Sequence, residues 1–86
     1  MGMMNCLLIE NIGRLHTTDM GIGRIRRNLD LDTDAVVEYC RSKILDKDAR
    51  IEKQGKNWYI CADGCVFTVN AGSYTIITAH REAKPG

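Results

Sequence analysis

The stretch Cys65–Arg81, CVFTVNAGSYTIITAHR, constrains the fold more than any other part of the chain. It is rich in β-branched and aromatic residues, which fit a pleated, half-buried sheet surface. The segment Asn70–Ser73 in its middle is a cluster of turn formers. The stretch therefore predicts a β-hairpin with Ala71 and Gly72 at the turn tip. Its predicted cross-strand pairs are Val69–Tyr74, Phe67–Ile76 and Cys65–Thr78.

Two further strands are predicted upstream of this hairpin. Residues 57–62, NWYICA, have strand character, and the Asp63-Gly64 dipeptide after them is a strong two-residue hairpin turn. A second turn at 54–56 follows a short first strand. The sequence thus predicts an antiparallel meander with strands at about 50–53, 57–62, 65–70 and 74–81. Because side chains alternate along a strand, one face should carry the core, namely Ile51, Trp58, Ile60, Ala62, Phe67, Val69, Tyr74 and Ile76.

The first half of the chain has helical character. Apolar residues at helical spacing predict a helix over about 3–16. A Thr-Thr-Asp segment can cap a second helix over about 19–28, in which Gly21 and Gly23 imply support by packing or by a close backbone approach. An acidic segment begins a third helix over about 34–45. Helices followed by strands predict an α+β fold, with three N-terminal helices packed on one face of the four-stranded antiparallel meander.

Length and composition set the broad class of the protein. Eighty-six residues predict a single domain spanning 1–86. With 12 basic and 11 acidic residues, overall charge gives no argument for nucleic-acid binding. No apolar run is long enough for a membrane span, and residues 1–9 carry no signal-peptide pattern. We therefore expect a cytoplasmic protein, with no membrane partner and with its cysteines reduced.

The cysteines and histidines do not form a metal-binding pattern. Cys61 and Cys65 bracket the Asp63-Gly64 turn, but a zinc site needs further ligands at suitable spacing. The predicted hairpin also points these two thiols to opposite faces of the sheet. The remaining candidates are scattered along the chain: Cys6, Cys40, His16 and His80. The sequence therefore predicts no metal and no cofactor.

A basic cluster precedes the third helix. It contains Arg14, Arg24, Arg26 and Arg27. Guanidinium groups match phosphate oxygens, so Arg24, Arg26 and Arg27 are candidate phosphate or RNA contacts. The alternative is a solvated helix face that pairs with the acids that follow, and the sequence favours it because those acids come immediately afterwards. The acids are Asp30, Asp32 and Asp34.

The end of the last strand and the second face of the sheet supply the other candidate sites. His80 and Arg81 after Thr78 could form an acid/base and phosphate-clamp set, or simply an exposed strand end. A pair of His16 with His80 would matter only if the fold brings them together. The face away from the helices should align Glu52, Tyr59, Thr68 and Thr75, either as a binding platform or as a solvated surface.

Three segments carry a resemblance to a known family. LHTTDMGIGRIRRNL, GKNWYI and TVNAGSYTIITAH resemble a small bacterial family of uncharacterised domains, which implies a compact cytosolic protein without an assigned activity. The order of elements and the Thr78-Ala79-His80 ending are also similar to the RelE and barnase-like ribonuclease toxins. That likeness implies His80, Arg81 and Tyr59 as site residues. Those toxins are usually strongly basic, whereas this chain is nearly neutral.

Two functions compete on these grounds. The first is a binding or inhibitor protein without enzymatic activity, acting on another protein through the open sheet face or an edge strand, as a monomer or homodimer. The alternative is an RNA-binding protein or ribonuclease of toxin-like fold, in which Arg24, Arg27, His80 and Arg81 converge. A metal-dependent enzyme has the least support, because paired ligands are lacking.

Overall fold

The computed structural model describes residues 7–82 and has an α+β architecture, as predicted. The helical part comprises α1 (Leu7–Glu10), a 3₁₀ turn (Ile12–Arg14), α2 (Asp19–Leu29) and α3 (Val36–Ile44). The strands are β1 (Arg50–Gln54), β2 (Asn57–Ala62), β3 (Cys65–Asn70) and β4 (Ile76–Arg81). They form one antiparallel sheet in the order β1-β2-β3-β4. Among the described residues, no helix has the length and apolar character needed to cross a membrane.

The first helical segment is shorter than predicted. Of the predicted helix over 3–16, positions 3–6 lie outside the described residues, and the rest is divided at Asn11. The Asn11 side-chain amide donates to the Leu7 carbonyl at 3.0 Å. Such a local bond competes with helix propagation. The chain then tightens into the 3₁₀ turn and becomes extended at Leu15.

The helix α2 is fixed at both of its ends. The Thr18 hydroxyl caps it by accepting from the Gly21 backbone N–H at 3.0 Å. Asp30 ends it in the left-handed conformation, and its N–H donates to the carbonyls of Arg26 and Arg27. Both caps satisfy backbone groups that a helix end leaves unpaired. The sequence places α2 and α3 within two residues of their observed bounds.

The register of the first three strands follows the predicted turn. Asp63 and Gly64 both have positive φ, at 52° and 74°, which is the geometry of a two-residue turn that matches strand twist. The observed cross-strand pairs are Trp58–Val69, Ile60–Phe67 and Ala62–Cys65. The predicted alternation of these strands is therefore correct.

The register of β4 corrects the prediction. The observed pairs are Val69–Ile76, Phe67–Ala79 and Cys65–Arg81 instead of Val69–Tyr74, Phe67–Ile76 and Cys65–Thr78. The turn is longer because the Asn70 side-chain oxygen accepts from the N–H groups of Gly72 and Ser73, both at 2.9 Å, and because Tyr74 is left-handed at φ 62°. A bulge then shifts the register. As a result, β4 begins at Ile76 rather than at position 74.

One hydrophobic cluster joins the helices to the sheet. Trp58 and Phe67 are both buried in it, as the alternation requires. Two bonds tie the end of α2 to β4: Asn28 Nδ2 donates to the Ala79 carbonyl at 3.2 Å, and Arg81 Nη2 donates to the Leu29 carbonyl at 2.9 Å. The cluster residues contributed by the three helices include Leu8, Ile25, Leu29, Val36, Cys40 and Ile44, and Leu15 joins them from the extended segment before α2.

Candidate functional site

The second face of the sheet carries mostly polar side chains in aligned rows. We call it the polar face. One row crosses all four strands as Glu52, Tyr59, Thr68 and Thr78. The sequence predicts the first three members, but the bulge puts Thr78 where Thr75 was expected. The neighbouring rows are Arg50–Cys61–Val66–His80 and Gln54–Asn57–Asn70.

The centre of the polar face is well ordered by its neighbours. Thr68 is only 8% exposed although it points away from the hydrophobic cluster. Tyr59 is half-buried, and its hydroxyl lies 3.4 Å from the Asn57 side-chain amide. A tyrosine held in this way offers a large contact area at small entropic cost. The middle of the row, Tyr59 and Thr68, is therefore packed by its neighbours, whereas Glu52 at its end is exposed.

A cavity of about 610 Å³ lies at one end of the polar face. Tyr59 and Cys61 line it from the sheet. Its charged lining consists of four carboxylates and one guanidinium, from Asp48, Glu52, Asp63, Glu82 and Arg50. Because like charges in a concave surface reinforce one another, this cavity attracts cationic groups and repels phosphates.

One carboxylate of the cavity has a cationic partner. Lys43 Nζ lies 2.7 Å from Asp63 Oδ2. This hydrogen bond lowers the pKa of Asp63 and raises the pKa of Lys43, so both groups are charged at neutral pH. The Asp63 side chain is exposed and that of Lys43 is partly buried, so solvent still screens the pair and it adds little to stability. The other three carboxylates of the cavity take part in no ion pair within residues 7–82.

The structure separates the predicted pair at the end of β4. His80 lies on the polar face across from Val66, and its Nδ1 is 3.1 Å from the Arg81 carbonyl oxygen. Arg81 points to the other face, where it donates to the Leu29 carbonyl at the end of α2. The two side chains therefore do not form a single acid/base and phosphate-clamp set, although His80 shares its face with Tyr59.

The arginine cluster divides in the same way. Arg26 pairs with Asp34 at 2.8 Å, as the solvated-face alternative requires. Arg24 and Arg27 are exposed on α2 and make no hydrogen bond or ion pair with any described residue. No such contact joins either of them to His80 or Arg81.

A hydroxyl–imidazole chain lies at the other end of the sheet. His16 Nε2 is 3.0 Å from Thr75 Oγ1, which is 2.7 Å from Ser73 Oγ. The His16 backbone also bonds to the turn and to the start of β4: its N–H donates to the Tyr74 carbonyl at 3.2 Å, and its carbonyl accepts from the Ile76 N–H at 2.7 Å. Sequence analysis missed this chain because His16 and Thr75 are 59 positions apart and meet only through the irregular turn. Since His80 lies five residues beyond Thr75, about 16 Å along a strand, no His16–His80 pair forms.

Comparison with known protein families identifies the family of this chain. The family model described as "Protein of unknown function (DUF3781)" matches residues 9–80. The chain belongs to the DUF3781 family. The matched region contains all three segments that carry the resemblance to an uncharacterised family, which is thereby confirmed. No curated protein and no solved structure gave a match, and the likeness to ribonuclease toxins stays a prediction.

The thiols of the DUF3781 chain differ in environment. Cys40 and Cys65 are buried, whereas Cys61 is half-buried on the polar face. Burial raises the pKa of Cys40 to about 12 and also raises the pKa of Cys65. Cys61 and Cys65 point to opposite faces, as the predicted register requires. Within residues 7–82, no three His, Cys, Asp or Glu side chains are grouped so that they could hold a metal ion.

Arg81 is expected to stabilise the DUF3781 fold rather than to bind a ligand. Arg81→Ala removes a charged donor from the last turn of α2, so the free energy of unfolding should fall by about 1 kcal/mol. Arg24→Ala removes an exposed arginine of α2 and should change the free energy of unfolding by less than about 0.5 kcal/mol. Urea denaturation of both variants measures the difference. Equal stability of the two variants would contradict the capping role of Arg81.

Proposed function

We propose that this DUF3781 protein is a binding module that contacts a basic segment of another protein through its polar face. We propose that the helical segments cover the opposite face of the sheet, so that no helix within residues 7–82 competes with the partner for the polar face. The observation that carries the proposal is the cross-strand row of Glu52, Tyr59, Thr68 and Thr78 leading to a carboxylate-lined cavity.

The row supplies the contact area for such a partner. Tyrosine is enriched at the centres of protein interfaces because its ring buries apolar area while its hydroxyl keeps a polar partner. Tyr59 sits in the middle of the row with hydroxyl side chains beside it on β3 and β4. Because Tyr59 and Thr68 are already partly or largely buried, they lose less rotamer entropy on binding than fully exposed side chains would.

The cavity selects the charge of the partner. Three of its carboxylates, from Asp48, Glu52 and Glu82, form no ion pair within residues 7–82 and complement lysine or arginine side chains. Complementary charge speeds encounter and excludes partners of the wrong sign. The same carboxylates oppose RNA on this face, and the exposed arginines Arg24 and Arg27 lie on α2 instead.

The edges of the sheet offer less to a partner. The outer edge of β4 is already occupied, because Ile76 bonds to the His16 backbone and to the Thr17 hydroxyl, and Asn28 bonds to the Ala79 carbonyl. Within residues 7–82, no strand pairs with the outer edge of β1, and the charged side chains Arg50, Glu52 and Lys53 hinder edge-to-edge pairing with a second copy. The face is therefore a better binding surface than either edge.

A fluorescein-labelled nonalysine peptide tests the proposal by fluorescence anisotropy. We expect binding that weakens as salt rises, and a Kd about tenfold higher for the Glu52→Gln/Glu82→Gln double variant, because two rim charges contribute about 1.4 kcal/mol together. Tyr59→Ala should weaken binding as well. Glu10→Gln, the same neutralisation on α1, should leave the Kd unchanged.

Three results would contradict the proposal. They are an absence of peptide binding at low salt, an equal loss of affinity in the Glu10→Gln control, and tight binding of a labelled single-stranded RNA that Arg24→Ala/Arg27→Ala abolishes. The last result would favour the RNA-binding alternative, with α2 as the contact surface.

A further inference from the structure

We propose that Ser73, Thr75 and His16 form a second, chemically active site, in which Ser73 is a nucleophile towards carboxylic esters. The site lies at the end of the sheet away from the acidic cavity. Asn70 lies at the same end of β3 as this site, and Cys65 lies at the cavity end. These two residues are about 17 Å apart along the strand. The site is therefore separate from the surface proposed above for partner binding, and each can fail without the other.

The protons of the chain can be assigned from its partners. His16 Nδ1 lies 2.9 Å from the Arg14 carbonyl oxygen, which can only accept, so Nδ1 carries a hydrogen. In the neutral ring Nε2 is then an acceptor, and the Thr75 hydroxyl donates to it over 3.0 Å. The backbone carbonyl of Arg14 orients the imidazole, as a third group orients the base in nucleophile–base pairs.

The Ser73 hydroxyl extends this chain of hydrogen bonds by one more bond. The Asn70 side-chain oxygen already accepts from the N–H groups of Gly72 and Ser73, which use both of its lone pairs. The contact from Ser73 Oγ to this oxygen is 3.2 Å, whereas the contact to Thr75 Oγ1 is 2.7 Å. The Ser73 hydroxyl therefore donates to Thr75, and the hydrogen bonds run in one direction from Ser73 through Thr75 to His16.

The Ser73 hydroxyl is a better nucleophile than the Thr75 hydroxyl because it is more accessible. Its side chain is exposed and primary, whereas the Thr75 hydroxyl is half-buried, secondary and in contact with the imidazole. Because both backbone N–H groups bond to the Asn70 oxygen, the amide nitrogen of Asn70 is oriented as well. That nitrogen makes no hydrogen bond within residues 7–82, so it is a donor available to an oxyanion formed beside Ser73.

The surrounding residues hold the chain in place. Tyr74, between the two hydroxyl residues, is buried, and its ring lies 5.4 Å from that of Trp58. The Arg14 guanidinium covers the other part of the Tyr74 ring at 4.5 Å from its centroid. His80 has a similar contact from Nδ1 to a carbonyl, but within the described chain its Nε2 has no hydroxyl partner. The complete arrangement therefore belongs to His16.

The proposed hydrolysis needs only the ester and water as reactants. Ser73 Oγ bonds to the ester carbonyl carbon, its proton moves to Thr75 as the Thr75 proton moves to His16 Nε2, and the alcohol leaves with that proton returned through Thr75. Water then attacks the acyl-serine and gives its proton to the same chain. The carboxylic acid departs, and Ser73 recovers its hydrogen.

A fluorophosphonate probe tests the site without knowledge of the natural ester. Ser73 should form an oxygen–phosphorus bond with loss of fluoride, and peptide mass spectrometry of the full chain should place the adduct on Ser73. General-base assistance contributes roughly 10²–10⁴-fold, so Thr75→Val and His16→Gln should lower the labelling rate about 100-fold. Thr75→Ser keeps the hydroxyl and should restore labelling to near the rate of the unaltered chain.

Matched variants separate chemistry from folding. Ser42→Ala removes an exposed serine whose hydroxyl donates to the Tyr39 carbonyl and should change neither the adduct nor its rate. Circular dichroism must show each variant folded, and the Thr75→Val and Thr75→Ser pair is decisive because valine keeps the shape of threonine without its hydroxyl, whereas serine keeps the hydroxyl. No adduct on Ser73 under conditions that label a known serine hydrolase would overturn the proposal. An adduct whose rate is unaffected by Thr75→Val would do the same.

Discussion

Gly21→Ala is expected to lower the free energy of unfolding by about 2 kcal/mol, although alanine is the better helix former by about 1 kcal/mol. A Cβ at position 21 would overlap the Thr17 hydroxyl and lie 3.2 Å from the Thr18 hydroxyl. Neither hydroxyl is free to move. Thr17 donates to the Ile76 carbonyl at 2.9 Å, and Thr18 is the cap of α2. The added methyl group must therefore break a tertiary bond, disturb a cap, or both.

Gly23→Ala is the matched control for this prediction. It makes the same change two positions later in α2, where a Cβ would meet no atom within 4 Å. The free energy of unfolding should rise by about 0.5–1 kcal/mol. In thermal denaturation each kcal/mol corresponds to about 4–8 °C for a domain of this size, so the two variants should shift Tm in opposite directions.

A double variant tests the cause. In a Thr17→Ala background the hydroxyl that opposes the methyl group is gone, so Gly21→Ala should cost much less than in the unaltered chain. Non-additivity of this kind is expected for residues in contact. Equal stabilisation by alanine at positions 21 and 23 would show that α2 does not approach Thr17 as the structure has it.

Cys40 is expected to resist alkylation by iodoacetamide at pH 8 about 1000-fold more than an ordinary thiol. Its pKa is raised by burial from 9.0 to about 12, and only the thiolate reacts. Cys61, half-buried on the polar face, should be modified first, and Cys65 should be protected like Cys40. Cys6 lies outside the described residues, so the measurement is made in a Cys6→Ser background.

Mass spectrometry of the alkylated peptides over time gives the three rates. In 6 M guanidinium chloride all three thiols should react alike, which controls for sequence effects. The raised pKa also means that the contribution of Cys40 to stability is complete below pH 9 and decreases as pH rises from about 9 to 12, because only the unfolded chain ionises there. Reaction of Cys40 as fast as Cys61 in the native protein would contradict the described core.

The parts of the fold that the sequence predicts correctly depend on residues that are close together in the chain. The Asp63-Gly64 turn fixes the register of β2 and β3 by backbone geometry alone, and the alternation of side chains then places Trp58 and Phe67 on one face. The role of Gly21 is similar, because a glycine in a helix signals either weakness or a close neighbour. Here the neighbour is Thr17.

The parts that sequence misses depend on tertiary contacts. A tyrosine in the left-handed region is uncommon. The segment NAGSYT therefore does not predict that Tyr74 lengthens the turn and shifts the register of β4. The acidic cavity collects Asp48, Asp63 and Glu82 from separate segments, and the hydroxyl–imidazole chain joins His16 to Thr75 across 59 positions. Alternation alone could identify the polar face, but not what lies at its two ends.

The most direct test of the binding account maps the contact surface by NMR. In a ¹H–¹⁵N titration of the full chain with the nonalysine peptide, shifts should concentrate at Glu52, Tyr59 and Cys61 and at the cavity residues Asp63 and Glu82. The amide resonances of α2 should not shift. Shifts centred on α2, or spread evenly over the sheet and the helices, would contradict the assignment of the polar face as the binding surface.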